Sequence, residues 1–111
     1  MNSSNNKPGN FAHIVFFWLK NANDADDRVA FEASLTKFIN NSSFIQTKHV
    51  GTPAATDREV IDSSYTYCLS LTFSNKSDQD QYQEEPAHNL FIEECADLWE
   101  KVIVYDSENI L

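Results

Sequence analysis

Apolar and polar positions change period several times along this chain, and each change marks an element. From Phe11 to Lys20 both alternating sets are apolar: Phe11, His13, Val15, Phe17 and Leu19 on one, Ala12, Ile14, Phe16 and Trp18 on the other. A strand with two apolar faces is covered on both. Helical spacing then takes over. Asn23-Asp24-Ala25-Asp26-Asp27 supplies a cap and first-turn acids, and Phe31, Leu35 and Phe38 share a stripe until Asn40-Asn41-Ser42-Ser43 stops it. Alternation returns over Phe44–Val50, and most clearly over Tyr65–Phe73. There Tyr65, Tyr67, Leu69, Leu71 and Phe73 face one way, and Thr66, Cys68, Ser70 and Thr72 the other. The polar stretch 51–64 has no period and predicts a flexible lip. Ser77 and Asp78 open a short helix that closes near Tyr82–Glu84. Pro86 opens another, with Leu90, Phe91, Cys95, Leu98 and Trp99 on its apolar stripe. Lys101–Tyr105 reads as a last strand ended by Asp106, with 107–111 a tail. Residues 1–10 are polar and read as a flexible N-terminal tail ahead of a single domain, 11–111.

The order is β-α-β-β-α-β with the second helix broken. It predicts an α+β, ferredoxin-like fold: a four-stranded antiparallel sheet with helices on one face. The other face then carries Ile14, Phe16 and Trp18. A bare apolar sheet face marks an interface, so a homodimer joined sheet to sheet is expected.

Charge sharpens the picture. Of 17 acidic and 8 basic residues, residues 1–76 balance, whereas 77–111 hold ten acids against Lys101 alone. No basic stripe exists to neutralise phosphates or anionic headgroups, so nucleic acid and membrane surfaces are excluded as partners. The acids read as a solvated helical surface. Cys68 and Cys95 form no CxxC pair and read as reduced core residues. The run Phe11–Leu19 contains a histidine and reads as a strand rather than a signal peptide. No segment has the length of a membrane span, and a cytoplasmic location follows by default.

The candidate chemistry lies in Tyr82-Gln83-Glu84-Glu85-Pro86-Ala87-His88. Proline pushes the preceding residue out of the helical region and favours the first position of a new helix. Tyr82 therefore closes one helix and His88 lies in the first turn of the next. The two groups flank one kink. His13 shares the helix-facing side of the first strand. A neutral imidazole accepts a proton near pH 7, and a phenol donates to a developing oxyanion. The plainer reading ties His88 to backbone at the kink and makes Tyr82 a plug. A metal site from His13, His49 and His88 has no HxH, HExxH or CxxC spacing behind it.

The strand His13-Ile14-Val15-Phe16-Phe17, the strand end at Phe73, Tyr82…Pro86-Ala87-His88 and the ending Leu98-Trp99-Glu100-Lys101-Val102-Ile103-Val104-Tyr105-Asp106 resemble the stress-responsive α/β-barrel (Dabb) family. The resemblance spans about residues 11–106. It implies a dimeric α/β barrel. By likeness to that family's plant polyketide cyclase, it implies catalytic roles for Tyr82, His88 and His13 without metal or organic cofactor. The same likeness implies a pocket for a small apolar ligand, lined by Val15, Phe17, Phe31, Leu35, Tyr67, Leu69, Leu71 and Trp99. Two functions stay open: acid–base chemistry of cyclase or isomerase type on a hydrophobic carbonyl compound, and a non-catalytic ligand-binding or stress-response homodimer.

Overall fold

A computed structural model describes residues 7–111. Four strands form one antiparallel sheet in the order β2-β3-β1-β4, from β1 (Phe11–Leu19), β2 (Thr47–Gly51), β3 (Tyr67–Phe73) and β4 (Trp99–Glu108). Helices α1 (Ala25–Asn41), α2 (Lys76–Gln83) and α3 (Pro86–Cys95) complete the chain. This is the expected ferredoxin-like arrangement with the second helix in two pieces. The break comes from Pro86: Glu85 before it is extended, with φ −65° and ψ 143°, and Pro86 starts α3.

Each helix start is built locally. Asp24 caps α1 by accepting from the amides of Asp26 and Asp27. Asn75 caps α2 by accepting from Asp78 N–H. The stripe Phe31, Leu35 and Phe38 is fully buried against the sheet. There it meets the buried sides of β1 and β3, where Phe11, Val15, Phe17 and Leu19 join Tyr67, Leu69, Leu71 and Phe73. The alternation of β1 is followed residue by residue: the His13 set is buried, and Ile14, Phe16 and Trp18 are half-buried on the open face.

Several boundaries differ from the sequence expectation. Strand β3 begins at Tyr67, and Tyr65 lies over Phe16 on the open face, with ring centroids 4.9 Å apart. Thr66 is buried instead, its hydroxyl accepting from Leu19 N–H at 3.0 Å. The Thr66 amide also donates to the Phe17 carbonyl at 2.7 Å, and with Thr66 turned inward Tyr65 takes the opposite face. Cys68 pairs opposite Phe16, so it is half-buried on the open face, whereas Cys95 is in the core; both are free. Phe44 and Ile45 pack against the core ahead of β2, which starts at Thr47. Helix α3 ends at Cys95, and a turn closed by Leu98 N–H to Cys95 C=O hands Trp99 to β4. Asp106 does not end β4, which continues to Glu108.

Of the expected N-terminal tail, residues 1–6 lie outside the described residues. Residues 7–10 run onto the sheet, where Gly9 N–H donates to the Thr72 hydroxyl at 2.9 Å. A Cβ at Gly9 would come within 2.1 Å of the Phe73 carbonyl oxygen, so only glycine permits this approach. The segment 51–64 starts beside α1, where Gly51 and Thr52 border a crevice with Glu32, Leu35 and Thr36, and ends on the open face, where Ser64 accepts from the Trp18 indole at 3.1 Å. Among the described residues no helix is long and apolar enough to cross a membrane.

Candidate active site

The helix break, the middle of β1 and the first half of β4 meet around a cavity of about 220 Å³ between the helices and the sheet. His13, Tyr82 and His88 line it together with apolar side chains, including Val15, Phe17 and Trp99. Tyr82 sits between the two imidazoles. Its ring centroid is 5.7 Å from that of His13 and 5.4 Å from that of His88, both edge to face.

Tyr82 closes α2 and turns inward, 1% exposed, stacked on Phe38 and tilted against Phe73. Among the described residues its hydroxyl has no hydrogen-bond partner. Burial holds the phenol well above its ordinary value of 10, with the nearby Glu85 carboxylate adding to the rise. The hydroxyl therefore keeps its proton at every physiological pH and is a donor.

His88 is the third residue of α3, its amide bonded to the Glu85 carbonyl at 3.0 Å. Its ring packs edge-on against Phe38. Its Nδ1 is closed off from solvent and has no hydrogen-bond partner among the described residues. Burial and then repulsion from His13 lower its pKa from 6.5, and Glu85 partly opposes them. The imidazole is thus neutral at neutral pH. Glu85 itself is fixed: its carboxylate accepts from the Ser42 hydroxyl at 2.5 Å and from Ser43 N–H at 3.0 Å. Those bonds tie the helix break to the end of α1.

His13 stands opposite Asp106 in the register of β1 and β4. Its Nδ1 lies 2.6 Å from Asp106 Oδ1, and the residue is 5% exposed. A carboxylate accepts only, so the contact places a proton on Nδ1 and leaves Nε2 as the acceptor when the ring is neutral. One donor, Tyr82, is therefore flanked by two imidazoles that can each take a proton.

The structure brings seven of the sequence-derived site residues to this cavity: His13, Val15, Phe17, Leu69, Tyr82, His88 and Trp99. Four others lie elsewhere. Phe31 and Leu71 are fully enclosed in the core. Leu35 and Tyr67 border a separate crevice beside β2, where the Tyr67 hydroxyl donates to Glu32 at 2.5 Å and its pKa is pushed up to about 12 by burial and that bond. Helix α1 crosses the sheet with its Phe31 end over Phe17 and Tyr67, which seals that side. Phe38, Gln83, Phe91, Ile92, Val102 and Val104 complete the lining. The stripe positions of Phe38 and Phe91 carry a burial signal, but nothing local separates a core residue from one at the core's edge. His49 sits in β2 beyond β3, opposite Ser70 and on the other face from His13, so the three histidines do not converge.

The fold recurs in solved structures. A Dabb family protein with a ferredoxin-like fold from Mesorhizobium loti is similar at a TM-score of 0.74 and 20% identity, over 90% of this chain and 96% of that one. A hydroxynitrile lyase from Passiflora edulis is similar at 0.73 and 23%, over 93% and 95%. A dimeric ferredoxin-like protein of unknown function from Thermobifida fusca is similar at 0.72 and 14%, over 89% and 90%. At these identities the likeness establishes the fold alone. No curated protein sequence matches significantly. The model of the stress responsive A/B barrel domain matches residues 11–109, nearly the whole described chain, and by that match this protein belongs to the Dabb family.

Proposed function

We propose that the cavity carries out general acid–base chemistry on a small hydrophobic carbonyl compound, of isomerase or cyclase type. One observation carries this reading: Tyr82, a donor without a partner, stands between two imidazoles on the wall of an apolar cavity. In this scheme a carbonyl oxygen accepts from Tyr82. His88, neutral through burial, takes a proton from the adjacent carbon. Tyr82 stabilises the resulting enolate oxygen. His13, its tautomer set by Asp106, offers Nε2 to orient a substrate hydroxyl or to relay the proton onward. An unmade hydrogen bond at a buried polar atom costs about 1–3 kcal/mol. The orphaned Nδ1 of His88 is therefore a further mark of a site rather than of a finished core. At about 220 Å³ the cavity is smaller than pockets for drug-sized ligands, which start near about 300 Å³. It suits a one-ring or short branched compound better than a long alkyl chain.

The test is proton exchange at acidic carbons. A panel of small ketones and aldehydes in D₂O, followed by NMR, should include members whose α-protons exchange faster with the protein than without it. His88→Asn should abolish the excess rate while the circular dichroism spectrum is unchanged. No excess exchange over the panel, or full exchange by a folded His88→Asn, defeats the proposal.

The same proposal includes a homodimer joined through the open face. Support comes from a contiguous apolar patch there. Ile14, Phe16 and Trp18 of β1 lie beside Ile103 and Tyr105 of β4 in the sheet register, with Tyr65 over Phe16. Polar Ser70 and Thr72 of β3 flank this patch. The Thermobifida fusca protein of the same fold is dimeric.

A further inference from the structure

Substrate charge is written into the walls of the cavity, which come mainly from the acidic third of the chain. Helices α2 and α3 and strand β4 all fall within residues 76–108, and residues 77–111 hold ten acids and a single base. No lysine or arginine lines the cavity. The two bases of these elements face elsewhere: Lys76 pairs with Asp80 at 2.8 Å on the surface of α2, and the Lys101 ammonium lies 4.5 Å over the Trp18 ring on the open face. Lys37 of α1 is engaged on the helix surface, 3.1 Å from Glu94. Arg28 lies over the Tyr67 ring, beside the separate crevice.

Carboxylates do reach the cavity's polar groups. Asp106 touches His13 at 2.6 Å. Glu85, anchored to Ser42 and Ser43, is near enough to act on both Tyr82 and His88. Both carboxylates are partly exposed, Asp106 at 45%, so water screens their outer side, while the apolar cavity on their inner side screens less. The lining itself holds no aspartate, glutamate, lysine or arginine, so the charges nearest to it are the Asp106 and Glu85 carboxylates behind His13 and His88.

We infer that the site takes an uncharged substrate and rejects anions: a small neutral aldehyde, ketone or carbonyl adduct, rather than a free carboxylic acid, a phosphate ester or a nucleotide-bearing thioester. This inference rests on the proposed cavity site and specifies its substrate class. An anion entering would lose hydration without gaining a cation, with the Asp106 and Glu85 carboxylates behind the lining opposing it. A neutral carbonyl meets uncharged polar groups, the Tyr82 donor and the Gln83 amide, beside the imidazoles.

Benzamide and benzoate test it, because they share size and shape and differ by one negative charge. Binding to the full chain at pH 7.5 is followed by ¹H–¹⁵N NMR titration, read at the amides of His88, Val102 and Val104 around the cavity. Benzamide should bind at least tenfold more tightly than benzoate. Gln83→Lys, which places a cation on the cavity lining, should shrink that ratio to threefold or less. Equal or tighter binding of benzoate to the natural chain overturns the inference while leaving the cavity as a ligand site. A ratio that Gln83→Lys does not change also overturns it, because the discrimination then has a steric origin. If neither probe moves these amides, the cavity is no ligand site for compounds of this size, and the inference falls with the reading beneath it.

Discussion

His13 Nδ1 and Asp106 Oδ1 lie 2.6 Å apart, joining residues 93 positions distant in the chain. The contact exists because β1 and β4 are neighbours in antiparallel register with His13 opposite Asp106. It fixes which imidazole nitrogen carries the proton in a residue that lines the cavity. Asp106→Asn keeps the size of the side chain but can donate as well as accept. The Nδ1–H tautomer should lose its preference, visible as changed His13 ring-nitrogen shifts in ¹⁵N NMR. Turnover of any substrate found should fall at least tenfold, with KM little changed. Because Asp106 is 45% exposed, the stability loss should stay near about 1 kcal/mol. Unaltered His13 tautomerism would remove the positioning role.

Tyr82 separates packing from chemistry. Its ring is buried against Phe38 and Phe73, but its hydroxyl has no partner among the described residues. Tyr82→Phe should therefore change stability by less than about 1 kcal/mol in urea melts. It should cost about 10²–10³ in turnover, as loss of an oxyanion donor does. Tyr82→Ala should cost about 3–5 kcal/mol of stability as well. Full activity in the phenylalanine variant would make Tyr82 a plug.

The lowered pKa of His88 has a sign that both activity and stability must follow. The folded chain binds this proton less readily than the unfolded chain, whose value is 6.5. The stability contribution is complete above pH 6.5 and is lost as pH falls below it. The rate with any substrate should hold its plateau down through pH 6.5 and fall only at more acid values. In His88→Gln the acid-side loss of stability in melts from pH 7.5 to 5 should be smaller. A rate half lost at pH 6.5 or above would show the imidazole to be unperturbed.

On the open face, Trp18 is half-buried, its ring covered by Lys101 and its indole N–H bonded to Ser64. A charge at that position would face a second copy of the same patch. Trp18→Glu should halve the mass measured by light scattering, with the circular dichroism spectrum retained. A dimer of unchanged mass would move the interface elsewhere.

Tyr82 and His88 illustrate how a short-range rule carries over to three dimensions: a proline between them breaks the helix wherever it is placed, so their positions flanking a kink follow from seven consecutive residues. The alternation of β1 likewise fixes His13 on the buried side. Trp99 and Tyr65 mark where such rules run out. Trp99 continues the helical apolar stripe of α3 but belongs to β4, because the turn at Ala96–Leu98 is closed by pairing with the end of β1. Tyr65 continues the alternation of β3 but crosses to the other face, because Thr66 bonds to Leu19 of a different strand.

From the sequence alone came the order of elements, the break at Pro86, the buried side of β1 and the charge of the last third, all set by neighbours a few residues apart. Tertiary structure alone decided that Asp106 meets His13, that Phe31 and Leu71 are sealed in the core while Phe38 borders a cavity, and that Lys101 turns away from it. Those outcomes depend on strand register and on the angle at which α1 crosses the sheet. Both are set by contacts between residues tens of positions apart, which no local period encodes.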